Sequence, residues 1–333
     1  MKYITPYTRA ILMQYTVTRA LETKLGEVLA TLEDQALSEA DPTYVLIGIP
    51  EDIGVRANHG IPGTSGAWNA FLKVFCNMQQ NDFLMSKDHL VLGEVDCTSE
   101  MNEADALDKD QTDYYKALGD LVSRIDEKVS YVVQTIVKAG KTPILIGGGH
   151  NNSYGNLKGV STAINQPLNC INFDAHSDFR PLEHRHSGNG FSYAMKEGYL
   201  DHYFIYGLHK AYVSEDMKQR MEAVSDRLKI AYFDDMLTLV SDEINNVQEG
   251  ALGFIAEKSF GLEIDLDAIA SMGSSAISPI GFSVREALQF VHKFSNHKNC
   301  RYIHLCEGAP NRELHPNQVG KTLAYLTAAI LTS

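Results

Sequence analysis

The sequence predicts an α/β fold: one domain on a central, mostly parallel sheet of about eight strands, with helices on both faces. Three observations predict it. Short apolar, β-rich runs bounded by turn residues recur along the chain, as buried parallel strands do. Helical patterns lie between them, which implies βαβ units with right-handed crossovers. No linker rich in Pro, Gly or Ser divides residues 1–333. Taken in order, the chain begins with short apolar stretches around Arg9, Arg19 and Glu22, which predict an amphipathic N-terminal helix over about 8–33. The candidate strands are Tyr44–Ile49, Leu90–Val95, Pro143–Ile146, Asn169–Phe173, Tyr203–Tyr206, Ile230–Phe233, Gly261–Leu266 and Tyr302–Cys306. The clearest helical patterns are Asp113–Ala139, Asn152–Ile164, Ser283–Phe294 and Gln318–Leu331.

Composition narrows the function classes. Hydrophobic residues make up 44% and charged residues 21% of the 333, enough to build a core and too apolar for a mostly disordered chain. Twenty-nine basic against 42 acidic residues leave a net charge of −13. Phosphate neutralisation needs a cationic surface, so a nucleic-acid binder is disfavoured, and so is docking on an anionic membrane. No apolar run approaches the ~18–20 residues that span a bilayer. The N-terminal stretch lacks a signal peptide's uninterrupted apolar region and cleavage site. The five cysteines, Cys76, Cys97, Cys170, Cys300 and Cys306, are scattered and form no CxxC pair. Neither a disulfide framework nor a cysteine zinc site is expected, and a reducing cytoplasm is the expected location.

Ligands of open α/β sheets bind beyond the carboxyl ends of the strands. Three such ends are unusual here. In ILIGGGHNNSYG, His150 follows three glycines. In CINFDAHSDFRP, Asp174, His176 and Asp178 stand at alternate positions, and in FGLEIDLDAI so do Asp265 and Asp267. Residues two apart in an extended chain point to the same side, so each set can converge. Carboxylates and imidazoles aimed into one crevice repel or are poorly solvated, and cations relieve that cost. Four aspartates and two histidines suit two divalent ions. Oxygen-rich ligands with a few imidazoles point to manganese, with zinc, nickel and iron open. Two ions that share a water lower its pKa and stabilise the charge formed on attack.

On these residues the chain resembles the ureohydrolase superfamily of arginases, agmatinases and formimidoylglutamases, whose motifs GGDH or GGGH, DAHxD and DxD occur in this order. GIPEDIGVRANHGIPGTSGAWNAF near the start, and SPIGFSVREAL and IHLCEGAPNRE near the end, extend the likeness along nearly the whole chain. The resemblance implies a three-layer α/β/α, arginase-like fold and two Mn2+ per chain. One ion would be held by His150, Asp174, Asp178 and Asp265, the other by Asp174, His176, Asp265 and Asp267. It implies hydrolysis of a C–N bond in a formimidoyl or guanidino group, with Asp178 taking a proton from the attacking water and Glu307 facing the cationic amidine. The family's V-N-P after that glutamate is replaced by Gly308-Ala309-Pro310. A trimer or hexamer is implied by analogy alone.

The loop DFRPLEHRHSGNGFSYA discriminates among substrates. It keeps the S-G-N of arginases as Ser187, Gly188 and Asn189, but Phe191 stands where they carry a proton-shuttling histidine. The Phe and the S-G also match formimidoylglutamases, whose T-P is replaced by Asn189-Gly190. Arg180 matches their DxR. Its guanidinium can grip a carboxylate bidentately, and Arg180, His184, Arg185 and His186 form a local basic patch on an acidic chain. Arg180, Ser187 and Asn189 are therefore the expected substrate contacts, with Arg56 and Asn58 as further lining. His186 is a candidate acid because histidine titrates near neutrality. The leading expectation is a formimidoylglutamase, converting N-formimidoyl-L-glutamate and water to L-glutamate and formamide. The alternatives are a urea-releasing arginase, agmatinase or guanidino-acid hydrolase, a non-catalytic metal-binding or regulatory homologue, and a one-metal zinc amide hydrolase of related fold. The expected partner is a small-molecule substrate.

Overall fold

A computed structural model of the chain describes residues 1–33, 36–82, 84 and 88–331, the last by its backbone only. Among the described residues nine strands form one sheet: β1 (Ile4–Pro6), β2 (Tyr44–Gly48), β3 (His89–Val95), β4 (Thr142–Ile146), β5 (Leu168–Phe173), β6 (Leu200–Leu208), β7 (Leu228–Tyr232), β8 (Phe260–Asp265) and β9 (Cys300–Cys306). Their order is β1-β3-β2-β4-β9-β8-β5-β6-β7, and every pairing is parallel except β1 with β3. All eight expected strands occur. The ninth, β1, has no apolar run to announce it, and as an edge strand it tolerates Pro6, which lacks the N–H that a central strand needs. It crosses β3 at Gly93, where an added Cβ would lie 2.1 Å from the Thr5 carbonyl oxygen.

The helices are α1 (Arg9–Gln14), α2 (Leu25–Val28), α3 (Ile53–Ala57), α4 (Ala67–Phe75), α5 (Thr98–Ala106), α6 (Tyr114–Lys138), α7 (Asn152–Ile164), α8 (Gly190–Lys196), α9 (Glu215–Glu222), α10 (Phe233–Met236), α11 (Ser241–Ile255), α12 (Val284–Ser295) and α13 (Gln318–Leu331). The expected helix over 8–33 is instead the two short pieces α1 and α2. Thr8 caps α1, its Oγ1 accepting from the Ile11 N–H. The β-branched run Thr16-Val17-Thr18 then disfavours continuation, and the Val17 N–H donates to Asn77 Oδ1 rather than to a helical carbonyl.

Alternate strand residues feed two cores. Leu46, Ile146, Phe173 and Ile264 pack with α4, α11, α12 and α13; Val45, Ile47, Leu145 and Cys170 pack with α6, α7 and α8. That is the three-layer α/β/α arrangement. Strands β5 and β8 are buried at every residue, which is why they read as predominantly apolar runs. Among the described residues no helix is long and apolar enough to cross a membrane.

The four central strands run in the order β4-β9-β8-β5. The chain passes from β4 to β5 across the places that β9 and β8 later fill. The direction of winding changes there, and a crevice opens at the carboxyl ends. The three unusual motifs and Glu307 are on these four ends.

Candidate metal centre

Each ligand-type side chain stands just beyond a central strand. After β4 the glycine loop turns sharply, with Gly147 at φ 88° and Gly148 at φ 73°, a region that glycine enters without strain. The Gly147 N–H donates to the Leu305 carbonyl and the Glu307 N–H to the Gly148 carbonyl, which ties the loop to β9. His150 follows, fully buried. Its Nδ1 lies 2.9 Å from Asp178 Oδ2, 3.1 Å from Asp265 Oδ2 and 3.3 Å from Asp174 Oδ2. His176 Nδ1 lies 3.1 Å from Asp267 Oδ2 and 3.6 Å from Asp174 Oδ1.

The convergence is reached differently from the extended-strand expectation. Strand β5 stops at Phe173, and β8 is followed by a 3-10 turn at Leu266–Ala268. Asp174 Oδ1 accepts the His176 N–H at 2.7 Å, and Asp265 Oδ1 accepts the Asp267 N–H at 2.7 Å. Each first aspartate thus turns the chain with one oxygen and brings the next side chain round to the crevice. Asp178 completes the turn at φ 43°.

These atoms form two overlapping groups. Ligand atoms of His150, Asp174, Asp178 and Asp265 all lie within 4.8 Å of one another, as do those of Asp174, His176 and Asp267. Asp174 belongs to both; Asp265, expected to bridge, belongs only to the first. The electrostatics call for cations. Burial and the charges of Asp267 and Asp174 push the Asp265 carboxyl well up, and burial with Asp174 pushes Asp178 up. Burial also opposes charge on Asp174, yet the neighbouring His150 and His176 rings hold its carboxyl below the usual range. Asp267 Oδ1 is buried without a hydrogen bond, and so is each ring nitrogen of His150. Buried oxygens and imidazole nitrogens in this state fit two divalent ions.

A cavity of about 570 Å³ opens over the cluster, with His176, Asp178, Asp265, Asp267 and Glu307 in its wall. Glu307 Oε1 accepts the His150 N–H at 2.8 Å and Oε2 accepts from Ser275 Oγ at 3.0 Å. Burial, then the charge of Asp267, pushes its carboxyl up to about 8. Arg180, half-exposed on the same wall, donates to Asn58 Oδ1 at 3.2 Å, and Asn58 Nδ2 donates to Ser187 Oγ at 3.1 Å. Arg180, Asn58 and Ser187 therefore form one hydrogen-bonded row along the cavity.

The rest of the expected basic patch is elsewhere. Asn189 is fully buried and absent from the cavity wall: its Oδ1 accepts from the His186 N–H and Arg185, and its Nδ2 donates to the His184 carbonyl. It shapes the loop and does not face the cavity. Arg185 is buried in an ion pair with Asp126, 2.9 Å away. Arg56 pairs with Asp52 and Asp105 outside the cavity. His186 is buried, with Nε2 2.9 Å from Glu183 Oε1 and Nδ1 accepting from the Gly188 N–H, so it has no path to a substrate. Phe191 packs edge-on against His150 at 5.2 Å between ring centres.

Several residues at the site were not singled out from sequence. Tyr212 stacks on His176 at 4.9 Å and lines the cavity with Asp216, both from the connection after β6. Glu51 is fully buried behind the glycine loop and accepts from the N–H groups of Gly149 and Ile53 and from Asn152 Nδ2. An acidic pair, Glu51-Asp52, just after the apolar run of β2 was the available signal. Glu263 and His304, buried within β8 and β9, lie behind His150.

The sequence model of the Arginase family matches residues 42–332. A formimidoylglutamase of Lysinibacillus sphaericus is 25% identical over 275 residues, 80% of this chain and 77% of that protein. One of Geobacillus kaustophilus is 28% identical over 309 residues, 90% and 86% of the two chains. The crystal structure of Trypanosoma cruzi formiminoglutamase with Mn2+ superposes with a TM-score of 0.72 at 19% identity, covering 93% of this chain and 98% of that one.

Burial carries His186 from 6.5 down to about 4, against the pull of Glu183. Between those values the unfolded chain binds a proton that the folded one does not. Stability therefore rises with pH across this window and is lost as the pH falls through it. Denaturant unfolding across the window should give a shallower pH slope for His186→Gln than for the unsubstituted protein. Equal slopes would contradict a buried, neutral His186.

Proposed function

Because the chain belongs to the arginase family, we propose that it is a binuclear manganese hydrolase of a linear amidine, N-formimidoyl-L-glutamate, releasing L-glutamate and formamide. One ion would be held by His150, Asp174, Asp178 and Asp265, the other by Asp174, His176 and Asp267. When bound, the two ions supply an activated water and stabilise the charge that develops on the amidine. Asp178 accepts the proton lost as the water oxygen adds to the amidine carbon. The C–N bond to the glutamate nitrogen then breaks, and that nitrogen takes up the proton held by Asp178. Glu307 faces the amidine, its two oxygens already oriented by the His150 N–H and by Ser275. A cationic amidine there restores the charge that burial disfavours on Glu307.

The observation that carries the substrate reading is the Arg180–Asn58–Ser187 row. Arg180 is the one arginine or lysine among the described residues of the cavity wall. A forked guanidinium backed by an amide and a hydroxyl suits a carboxylate. Phe191, packed against His150, has no proton to shuttle and keeps one side of the ring dry. One observation favours a second reading: Asp216, also on the wall, would suit the ammonium of a guanidino amino acid, which would release urea. Five buried, unpaired cysteines support a reducing compartment such as the cytoplasm.

The manganese-loaded protein should release formamide from N-formimidoyl-L-glutamate and no urea from L-arginine, agmatine or 4-guanidinobutyrate. Urea from any of these would transfer the activity to the second reading. Arg180→Ala should raise KM for the acidic substrate by about 10–100-fold with little change in kcat, the loss of one charge-assisted contact. An unchanged KM would mean that the anionic end binds elsewhere. Asp265→Asn should abolish turnover and reduce the bound manganese below two ions per chain by elemental analysis. Two retained ions would contradict its assignment as a ligand.

A further inference from the structure

The six assigned ligands do not account for the back of the His150 ring. While Nδ1 faces the three aspartates, Nε2 lies 3.5 Å from Glu263 Oε2, and both groups are fully buried. Glu263 is itself fixed on three sides. Its Oε2 meets His304 Nδ1 at 2.6 Å, and its Oε1 accepts from the Tyr302 hydroxyl at 2.8 Å and from Asn156 Nδ2 at 3.3 Å. His304 Nε2 lies 3.1 Å from the carbonyl oxygen of Gly147. A carbonyl only accepts, so Nε2 carries the proton of that bond. Gly147 opens the loop that ends in His150. One carboxylate–imidazole pair, on register-matched positions of β8 and β9, therefore backs the ring and bonds the backbone root of the same ligand.

We propose that Glu263 and His304 are positioning residues for the metal centre: Glu263 stands to accept from the Nε2–H of His150 as the ring ligates and so leaves the Nδ1 lone pair directed at the ion, while His304 anchors Glu263 to the glycine loop. The proposal rests on the metal-centre reading above. An imidazole with the opposite tautomer would present an N–H to the ion and could not ligate it. A carboxylate behind a ligating histidine fixes that choice and raises the basicity of the ligand. No other carboxylate is paired with His150 Nε2 among the described residues. A buried carboxylate in the middle of an apolar strand is costly unless every oxygen is engaged, and here each oxygen has at least two polar neighbours.

Manganese binding to the full chain tests this without reference to turnover. Titration calorimetry and electron paramagnetic resonance should find two ions on the unsubstituted protein, with the spectrum of a spin-coupled pair. Glu263→Gln keeps the shape of the side chain but puts an amide behind the ring. It should weaken the ion on the His150 side about 10–100-fold, so that one uncoupled ion remains on the His176 side at low manganese. His304→Asn should do the same to a smaller extent, and gives an independent reading if the first variant does not fold. Tyr302→Phe, which removes a hydrogen bond to Glu263 without touching His150 or His304, should lower the melting temperature while the coupled spectrum persists. Folded Glu263→Gln or His304→Asn that binds two ions with unchanged affinity and spectrum would overturn the positioning role. Absence of two ions on the unsubstituted protein would instead overturn the metal-centre reading itself.

Discussion

The crowding of carboxylates at the ends of three adjacent strands, β9, β8 and β5, is the constraint on which the rest of this structure depends. Asp174, Asp178, Asp265, Asp267 and Glu307 surround two imidazoles in a largely buried crevice. Ions of like sign at these separations repel by several kcal/mol even at an effective dielectric near 20. Burial adds the loss of hydration, seen in the upward displacement of the Asp178, Asp265 and Glu307 carboxyls. Protonated histidines relieve part of the charge, and divalent cations relieve more of it. A site of this kind is a function kept at the expense of stability, and it requires a rigid surround.

The surround is made of buried polar groups, each with assigned partners. Glu51 gathers the N–H groups of the glycine loop and of α3. Arg185 joins Asp126 on α6 to the carbonyl of Asn151 and so ties the substrate loop to the start of α7. Glu263, His304 and Tyr302 lie beneath His150. Removing one partner of such a pair leaves an uncompensated buried charge and costs about 3–5 kcal/mol. The same groups therefore carry local stability and ligand geometry, and a substitution at any of them is expected to disturb both. The substrate wall is looser. Arg180 and Tyr212 are about half-exposed, which leaves specificity to be altered by the two loops that carry them without disturbing the ions.

The legible parts of the molecule were those whose signal is local. The parallel strands read as short apolar runs because, in all but the edge strand β7, both faces are buried, and α7 and α13 follow from apolar periodicity between turn residues. The metal cluster is legible because its members follow three of those runs, five of them at alternate positions and His150 after the three glycines. What stayed hidden depends on distant partners. Asp126 and Arg185 are 59 residues apart, and the pairing that takes Arg185 out of the basic patch cannot be read from either neighbourhood. Asn189 and Ser187 look equivalent in the loop, yet one turns inward to Arg185 and the other to the cavity. Glu263 and His304 interrupt apolar strands, where a polar residue reads as a weakness of the strand and not as a support for a residue on β4's far end. β1 has only three residues and little apolar character, and the expected helix at 8–33 broke where β-branched residues met a competing side-chain acceptor.

The most direct measurement is diffraction from manganese-loaded crystals on both sides of the manganese absorption edge. The four-strand arrangement predicts two anomalous peaks per chain, one among His150, Asp174, Asp178 and Asp265 and the other among Asp174, His176 and Asp267. A single peak, or peaks away from these side chains, would contradict a binuclear centre at the carboxyl ends of β4, β5 and β8.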